Sequence, residues 1–460
     1  MEQNVPNAFP DLVVVVPGLI GSVLSKDGKP IWGVSAGALW RVIAGTALEQ
    51  LELKGADDER DDLDDGVTAT GLLENIQIVP GLWKQGGYSI LAEKLVSGLR
   101  LTQNENYREF PYDWRRSNRV SARKLARVVP EWLKVWREKS GNPDAKVVFI
   151  AHSMGGLVAR YYIECLEGWK TTRTLLSFGT PYRGSGNAVG FLCNGFAWDV
   201  GPLKAFDGTK AIRSFDSVYQ LLPVYPFVDN GGQSLGRLSE VTLPNLDRGR
   251  ASAAAAFHEE IRLAQQQNAE TDAYSSSGPK VRPVVGIEQP TFQSAKFDGT
   301  VVTLLQSHEG KDLKGDATVP RASAIPLEVP QQNASYVATT HSALQSDEGA
   351  IGNLRGILTE VDVDLDKYRE VGVGTIGLSV QDAYVSNSSV EINAIPSDFV
   401  QSISATISRV DAQAPDATAV LRPHGARYVA HARLAAGLYC VKMALDGFHP
   451  VSDVFLVADE

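Results

Sequence analysis

The stretch that decides the fold reads VVFIAHSMGGLVARYY and occupies residues 147–162. An apolar run typical of a buried strand stops at Ala151, Ser153 follows, and a helix-like pattern begins after two glycines. A serine on a sharp strand–turn–helix can act as a nucleophile, and small flanking residues allow the turn. The usual pattern is G-x-S-x-G, with glycine where Ala151 stands. Because alanine is nearly as small, the stretch predicts a nucleophile elbow between a strand over 146–151 and a helix over 154–166. The alternative is an ordinary turn that happens to hold a serine.

Three further apolar runs predict buried parallel strands, at residues 11–18, 172–181 and 281–288. An apolar stripe with helical spacing over 121–139 lies between the strands predicted at 11–18 and 146–151, and Pro130 is predicted to kink or break this helix. The pattern predicts an α/β fold of the α/β-hydrolase type, with a mostly parallel central sheet.

Two other regions differ from the strand–helix alternation. Residues 182–280 are rich in glycine, polar runs and aromatic side chains, which predicts an insertion over the sheet. The aromatic residues either pack in their own core or form a lid that meets apolar substrate or lipid. After about residue 372 short β-branched segments alternate with turns, which predicts an all-β, sandwich-like domain over 372–460 behind a hydrolase domain over 1–371. Eight aromatic residues are dense in the first half of the insertion: Phe191, Phe196, Trp198, Phe206, Phe215, Tyr219, Tyr225 and Phe227.

Composition excludes some classes of function. The chain of 460 residues is 43% hydrophobic and carries a formal net charge of −10, which argues against nucleic-acid binding as the main function. The one basic cluster is interpreted first as a solvated helix face. Its members are Arg115, Arg116, Arg119, Arg123, Lys124 and Arg127.

Cysteine usage and the N-terminal sequence bear on location. The three cysteines lie far apart without metal-binding spacing, so we expect reduced thiols and no metal site. The first residues show no signal-peptide pattern, and no apolar run is long enough for a membrane span. The sequence therefore predicts a cytoplasmic protein for which any membrane contact is peripheral.

An acyl-transfer serine needs two backbone N–H groups for the oxyanion. One is expected from Met154, directly after the serine, and the other from the loop that follows the first strand. In that loop Gly18 allows close approach of the backbone, and the donor is expected to be Leu19, with Ile20 as the fallback. A plain strand-terminating Pro-Gly turn is the alternative interpretation.

The acid and base should follow the serine in chain order. His341 stands after a strand-like segment and before a new helix, where catalytic residues of such folds gather. His258 and His308 are weaker candidates, and the histidines after residue 372 are expected on the surface or in packing. Asp316 lies in a tight turn 25 residues before His341, and position alone favours it only modestly over Asp298.

Seven motifs occur in one order, and together they resemble the lecithin:cholesterol acyltransferase family of α/β-hydrolases over roughly residues 10–350. They are VVVVPGLIGS (13–22), PYDWRR (111–116), AHSMGGLVARYY (151–162), SFGTPYRGS (177–185), SVYQLLP (217–223), GDATVP (315–320) and HSALQ (341–345).

The resemblance implies specific roles for residues of this chain. Its nucleophile falls on Ser153, its acid on Asp316, its base on His341, and its oxyanion donors on Leu19 and Met154. Asp113 and Trp114 are expected to shape the site. A segment near WKQGGYS (83–89) also has a counterpart in the family.

Two features depart from the family. Secreted members have a signal peptide and an N-terminal disulfide loop, whereas residues 2–164 here contain no cysteine. The β-rich tail has no counterpart that we can place, so we expect an intracellular form with an additional domain.

The sequence thus predicts a serine-dependent lipid acyl hydrolase or O-acyltransferase that needs no cofactor or metal. A lipid or other acyl ester is the expected substrate, the lid is the expected membrane contact, and the β domain is a candidate for binding a protein partner. Nucleic acid is not an expected partner. A soluble carboxylesterase, a membrane-attacking lipase effector of a bacterial defence system, and a non-catalytic binding protein on a hydrolase fold are the alternatives.

Overall fold

The structure, a computed structural model, describes most of the chain. The described residues are 9–33, 50–55, 58–74, 77–79, 83–85, 87–200, 203–232, 234–359, 374–410, 412 and 414–458.

Twenty-four strands are defined within these residues. They are β1 (Leu12–Val16), β2 (Ser22–Lys26), β3 (Lys29–Trp32), β4 (Val67–Leu72), β5 (Gln77–Val79), β6 (Trp83–Gln85), β7 (Tyr107–Glu109), β8 (Val147–His152), β9 (Thr172–Phe178), β10 (Ala197–Val200), β11 (Leu203–Asp207), β12 (Val228–Asp229), β13 (Lys280–Gly286), β14 (Ser294–Phe297), β15 (Val302–Leu305), β16 (Ser335–Val337), β17 (Ile376–Val380), β18 (Ala383–Val385), β19 (Val390–Pro396), β20 (Ile403–Arg409), β21 (Ala417–His424), β22 (Arg427–Ala432), β23 (Gly437–Met443) and β24 (Val451–Ala458).

The described residues also form nine α-helices. They are α1 (Ser89–Leu99), α2 (Asn118–Ser140), α3 (Gly155–Cys165), α4 (Gly186–Asn194), α5 (Thr209–Ser214), α6 (Asp216–Tyr219), α7 (Arg248–Ala269), α8 (Asp272–Ser277) and α9 (Glu348–Thr359).

The central sheet has six strands in the order β16-β13-β9-β8-β1-β7. Every neighbouring pair in it is parallel. The residues of β1 alternate between two apolar cores: Leu12 and Val14 pack on one face of the sheet, and Val13 and Val15 pack on the other. A sheet covered on both faces explains why its strands read as continuous apolar runs. The predicted α/β-hydrolase fold with a mostly parallel sheet is confirmed.

Helix α2 runs unbroken from Asn118 to Ser140 through Pro130, so the predicted break is wrong. Pro130 lies on the exposed side of the helix, and Ala126, whose carbonyl loses its usual N–H partner, is only half-buried. Because that carbonyl lies at a half-buried position, it can bind water in place of the missing N–H.

The region predicted as an insertion contains α4 to α8 and three short strands. Of the eight aromatic residues named in the sequence analysis, five are buried in the main core and Tyr225 packs against that core. The core interpretation therefore describes these six residues. The side chains of Trp198 and Phe206 lie outside the described residues. The five buried residues are Phe191, Phe196, Phe215, Tyr219 and Phe227.

The C-terminal region is all β, as predicted. Its eight strands follow the order β17-β19-β22-β21-β20-β23-β24-β18, with β21 pairing with β22 at one end and β20 at the other. A separate apolar core packs between the strands. The predicted domain boundary at 371/372 lies outside the described residues, and it stays a prediction.

The basic cluster is only partly a solvated face: Lys124 and Arg127 are exposed, as expected, whereas the interpretation is wrong for the buried Arg115 and Arg116. Arg115 has a fully buried side chain and is paired with Asp113 at 2.7 Å and Asp65 at 2.9 Å. Arg119 is paired with Glu260 at 2.8 Å. Arg116 donates to two backbone carbonyls, and Arg123 and Arg127 both bind the carboxylate of Asp61. The cluster joins α2 to acidic segments on either side of it.

Candidate active site

Ser153 occupies a strained turn directly after β8. Its φ is +52°, in the left-handed region that ordinary residues avoid, and it is followed by α3. A Cβ at Gly155 would lie 2.3 Å from the Pro17 carbonyl oxygen, and one at Gly156 would lie 2.0 Å from Thr180 Oγ1. Both positions therefore need glycine. The strand, strained serine and helix have the arrangement of a nucleophile elbow.

The alanine in the first position of the motif has a plain explanation. Ala151 is the fifth residue of β8 and is paired with Val16 of β1. It is fully buried, and the position holds a methyl group inside the core. The glycines that the turn requires are those after the serine.

His341 and Asp316 meet Ser153 at the carboxyl ends of the strands. His341 Nε2 lies 2.9 Å from Ser153 Oγ, and His341 Nδ1 lies 2.7 Å from Asp316 Oδ2. The other carboxylate oxygen, Oδ1, accepts the amides of Thr318 at 3.0 Å and Val319 at 2.6 Å. The His341 amide also donates to the Asp316 carbonyl at 2.7 Å. One oxygen of the carboxylate is thus held by its own loop and the other faces the imidazole.

The three side chains are almost completely shielded from water. Ser153 is 4% exposed, His341 3% and Asp316 1%. In such surroundings hydrogen bonds are electrostatically stronger than in water. The arrangement can pass the serine proton to a histidine whose tautomer is fixed by a carboxylate.

The competing acids and bases lie elsewhere. Asp298 is exposed and accepts the amides of Thr300 and Val301 in its own turn. His258 Nε2 lies 2.8 Å from the Gln220 carbonyl oxygen, and His308 Nε2 lies 2.8 Å from that of Pro226. The geometry therefore brings Asp316, and not Asp298, to His341.

The predicted oxyanion loop reaches the serine. A Cβ at Gly18 would lie 2.9 Å from Ser153 Cβ, so the loop approaches as closely as glycine allows. Leu19 and Met154 are buried, and within the described part of the chain neither backbone N–H donates a hydrogen bond. Two free amides beside the serine could receive a developing negative charge. Ile20, the fallback, has φ +58°.

Trp114 lies against the segment that follows the predicted oxyanion loop, and Asp113 precedes it in the chain. Trp114 is buried, donates from Nε1 to the Ser22 carbonyl at 3.0 Å, and meets Trp32 edge-on with ring centroids 5.5 Å apart. Asp113 is paired with Arg115. These contacts connect the two residues to the loop indirectly, and their role in shaping the site stays a prediction.

Sequence reasoning missed a buried pair beside the serine. The Tyr88 hydroxyl accepts the Gly18 amide at 2.8 Å and lies 3.1 Å from His152 Nδ1. His152 Nε2 lies 3.3 Å from the His341 carbonyl oxygen. Burial lowers the pKa of His152 well below its usual value, so the ring is neutral. A neutral ring whose Nδ1 accepts a hydrogen bond from the Tyr88 hydroxyl donates from Nε2–H to the His341 carbonyl oxygen, which links the Gly18 loop to His341.

Two glycines under the acid and base were also missed. Gly179 has φ +55°, and a Cβ there would lie 2.9 Å from both Asp316 Oδ2 and His341 Nδ1. A Cβ at Gly286 would lie 2.4 Å from that of Asp316. Gly179 stands inside the SFGTP motif, which was the available signal.

Two kinds of feature are absent from the described residues. No group of three or more histidine, cysteine, aspartate or glutamate side chains there is arranged to hold a metal ion. No helix in the same residues combines the length and apolarity that crossing a bilayer requires. Cys165, Cys193 and Cys440 are all free thiols.

The sheet and the strained serine define the class of protein as an α/β-hydrolase. The model of the lecithin:cholesterol acyltransferase family matches residues 63–258, which confirms the resemblance over that part of the chain.

Curated relatives match over limited segments. An uncharacterized protein of Saccharomyces cerevisiae is 28% identical over 182 residues, which is 39% of this chain and 24% of the relative. The human lysosomal phospholipase A and acyltransferase is 30% identical over 142 residues, 30% of this chain and 32% of the relative. The match thus spans about a quarter to a third of the relatives' length.

Solved structures resemble the chain only distantly. A Bacillus licheniformis lipase in its propeptide form is 11% identical, with coverage of 98% of this chain and 94% of that one and a TM-score of 0.34. A phospholipase from Legionella pneumophila is 9% identical, with coverage of 98% and 93% and a TM-score of 0.32. Likeness at this level carries no argument about function.

Proposed function

We propose that this protein is a serine-dependent lipid acyl hydrolase or O-acyltransferase. The observation that carries the chemistry is the hydrogen-bond chain from Ser153 through His341 to Asp316, with distances of 2.9 and 2.7 Å. The family match and the phospholipase and acyltransferase name of the human relative support a lipid ester as the substrate.

The first half-reaction forms an acyl-enzyme. His341 Nε2 takes the proton of Ser153 Oγ as that oxygen attacks the ester carbonyl carbon. The carbonyl oxygen becomes an oxyanion between the Leu19 and Met154 amides, an arrangement worth about 3–4 kcal/mol per donor in other enzymes. The carbon–oxygen bond of the ester then breaks, and the leaving alkoxide takes the proton from His341.

The second half-reaction releases the acyl group. A hydroxyl compound loses its proton to His341 and attacks the acyl-enzyme carbonyl, and the proton then returns to Ser153 as the ester bond to the enzyme breaks. Water as the attacking compound gives a free fatty acid, and a lipid alcohol gives a new ester. Asp316 keeps the imidazole in the tautomer that both steps need, because its Oδ2 accepts the Nδ1 proton.

Product analysis tests this proposal. Purified protein is incubated with vesicles of mixed phospholipids, with and without a long-chain alcohol, and the lipids are analysed by mass spectrometry. We expect lysophospholipid together with free fatty acid, or with an alcohol ester when the alcohol is present. Ser153→Ala is the control and should release neither.

Other outcomes identify the competing functions. Cleavage of short soluble esters without any cleavage of phospholipid would indicate a soluble carboxylesterase. No turnover of either substrate, together with no labelling of Ser153 by a fluorophosphonate, would refute the enzymatic proposal. A cytoplasmic location, peripheral membrane contact and a protein partner for the β domain remain predictions.

A further inference from the structure

The C-terminal β domain reaches the loop that carries the acid. Strand β17 lies at the end of its sheet, so among the residues that the structure describes one edge of its backbone has no strand partner in that sheet. The side-chain amide of Gln289 is hydrogen-bonded to that edge. Its Nε2 donates to the Ile376 carbonyl at 3.3 Å, and its Oε1 accepts the Leu378 amide at 3.1 Å. A single side chain thus occupies two backbone groups of the edge strand, as a neighbouring strand would.

The main chain of Gln289 is bonded to the acid loop itself. Its amide donates to the Gly315 carbonyl at 2.9 Å, and it forms bridges to both Gly315 and Asp316. Gln289 is completely buried. It therefore joins the β domain to the residue that orients the imidazole.

A second contact joins the β domain to the loop of the base. The hydroxyl of Thr340 donates to the Ser452 carbonyl of β24 at 3.0 Å. Thr340 is 2% exposed and directly precedes His341. Acid and base are thus each one hydrogen-bonded step from the same domain.

The β domain and the segment 288–290 are also in close backbone contact. A Cβ at Gly377 of β17 would lie 3.1 Å from the Glu288 carbonyl oxygen and 3.9 Å from Pro290 Cδ. The edge strand therefore approaches the segment 288–290 at a distance that favours glycine.

We propose that the β domain is a positioning element for the Asp316–His341 pair, and that Gln289 and Thr340 are the positioning residues through which it acts. The inference rests on the proposed function, because it assigns these residues a purpose in the same reaction. Within the described residues, neither side chain is hydrogen-bonded to Ser153. Their role is to keep the Nδ1–Oδ2 distance short while the imidazole gains and loses a proton.

Isosteric variants test the proposal in the full-length protein. Gln289→Met keeps the length of the side chain and removes both bonds to β17, and Thr340→Val keeps its shape and removes the bond to β24. For the double variant we expect kcat on a soluble p-nitrophenyl ester to fall about 10- to 100-fold, with KM changed less than about twofold. Fluorophosphonate labelling of Ser153 should slow by the same factor.

Matched controls separate positioning from stability. Gln220 is a buried amide whose oxygen accepts the Asn118 amide at 2.7 Å and whose nitrogen donates to Ser117 Oγ at 2.9 Å, so Gln220→Met breaks two bonds that do not involve the β domain. Thr339 is 3% exposed and adjacent to Thr340. Gln220→Met and Thr339→Val should leave kcat within about twofold of wild type, even where the thermal midpoint falls as far as in the test variants.

The NMR resonance of the His341 Nδ1 proton gives a second measurement that does not depend on catalytic turnover. The proton on His341 Nδ1 is deshielded by its 2.7 Å bond to Asp316, and its resonance should move upfield or broaden in the double variant but not in the controls. An unchanged resonance together with wild-type labelling would overturn the inference and leave the proposed function standing. If the wild type itself is not labelled, the proposed function fails, and the resonance alone then decides whether the β domain positions the pair.

Discussion

Replacing Gly179 with alanine should disturb both the candidate active site and the stability of the fold. The added Cβ would lie 2.9 Å from Asp316 Oδ2 and from His341 Nδ1, the two atoms that share a 2.7 Å hydrogen bond. An ordinary contact needs about 3.4 Å or more, so one or both groups must move by about half an ångström. A shift of that order at a reacting pair costs about 10- to 100-fold in rate.

The stability cost of the same change has two parts. Gly179 has φ +55°, where alanine costs about 1–2 kcal/mol, and overpacking a filled site adds about 1–3 kcal/mol. Gly141 is the matched control, because its φ is +67° and a Cβ there would meet nothing within 4 Å. Gly141→Ala should therefore show the backbone cost alone and retain full activity.

The assay combines two measurements on both variants. Denaturant unfolding gives the free energy, and the rate of fluorophosphonate labelling reports the reactivity of Ser153. We expect labelling of Gly179→Ala to be about 10- to 100-fold slower than that of Gly141→Ala. Equal labelling rates in folded protein would refute the reasoning, because Asp316 and His341 would then tolerate the displacement.

Three further predictions concern other groups. Asp316→Asn should lower kcat roughly 10⁴-fold by favouring the wrong tautomer of the base, while Asp298→Asn should leave kcat unchanged; the reverse pattern in steady-state kinetics would reassign the acid. Arg115→Met should cost about 3 kcal/mol in denaturant unfolding, because Asp113 is left without its buried partner at 2.7 Å, and a loss under 1 kcal/mol would contradict this. Burial lowers the pKa of His258 to about 4 from its ordinary value near 6.5. Between these two pH values the unfolded chain binds a proton that the folded chain does not, so the free energy of unfolding decreases as the pH is lowered. Between pH 7 and pH 5 this amounts to about 2 kcal/mol, which should disappear from unfolding curves of His258→Asn, and an unchanged pH dependence would exclude His258 as the source.

The central sheet could be predicted because burial on both faces leaves a direct pattern in the sequence. Residues 12–16 are apolar without interruption, and both faces of β1 pack in cores. The elbow was predictable for a similar reason, since the two glycines after Ser153 have no room for a side chain. The strands and the turn at Ser153 both depend on residues adjacent in sequence, so a short stretch of sequence is enough to predict them.

The acid and base were harder, because they depend on loops distant in sequence. Position barely separated Asp316 from Asp298, whereas the fold separates them fully: one is 1% exposed and the other lies in a surface turn. The interpretation of the basic cluster as a solvated face missed ion pairs for the same reason, since the partner of Arg119 is Glu260, which lies on α7 and far along the chain. A helical stripe shows which positions share a face but not what packs against them.

The contacts of the β domain left no pattern that could be predicted. Gln289 binds main-chain atoms of β17, and a backbone partner has no side-chain signature. Tyr88 likewise accepts a hydrogen bond from the Gly18 amide and lies beside His152 Nδ1, and the segment WKQGGYS (83–89) that contains it does not indicate this role. These links are defined by three-dimensional proximity alone.

The most direct test of the central claim is to trap the acyl-enzyme. The protein is mixed with a phospholipid of defined acyl chains, quenched in acid within milliseconds to seconds, digested and analysed by mass spectrometry. We expect the peptide that contains Ser153 to gain the mass of one fatty acyl group, to lose it on longer incubation, and to stay unmodified in Ser153→Ala. Release of fatty acid with no acylated Ser153, or with equal rates in Ser153→Ala, would contradict the account.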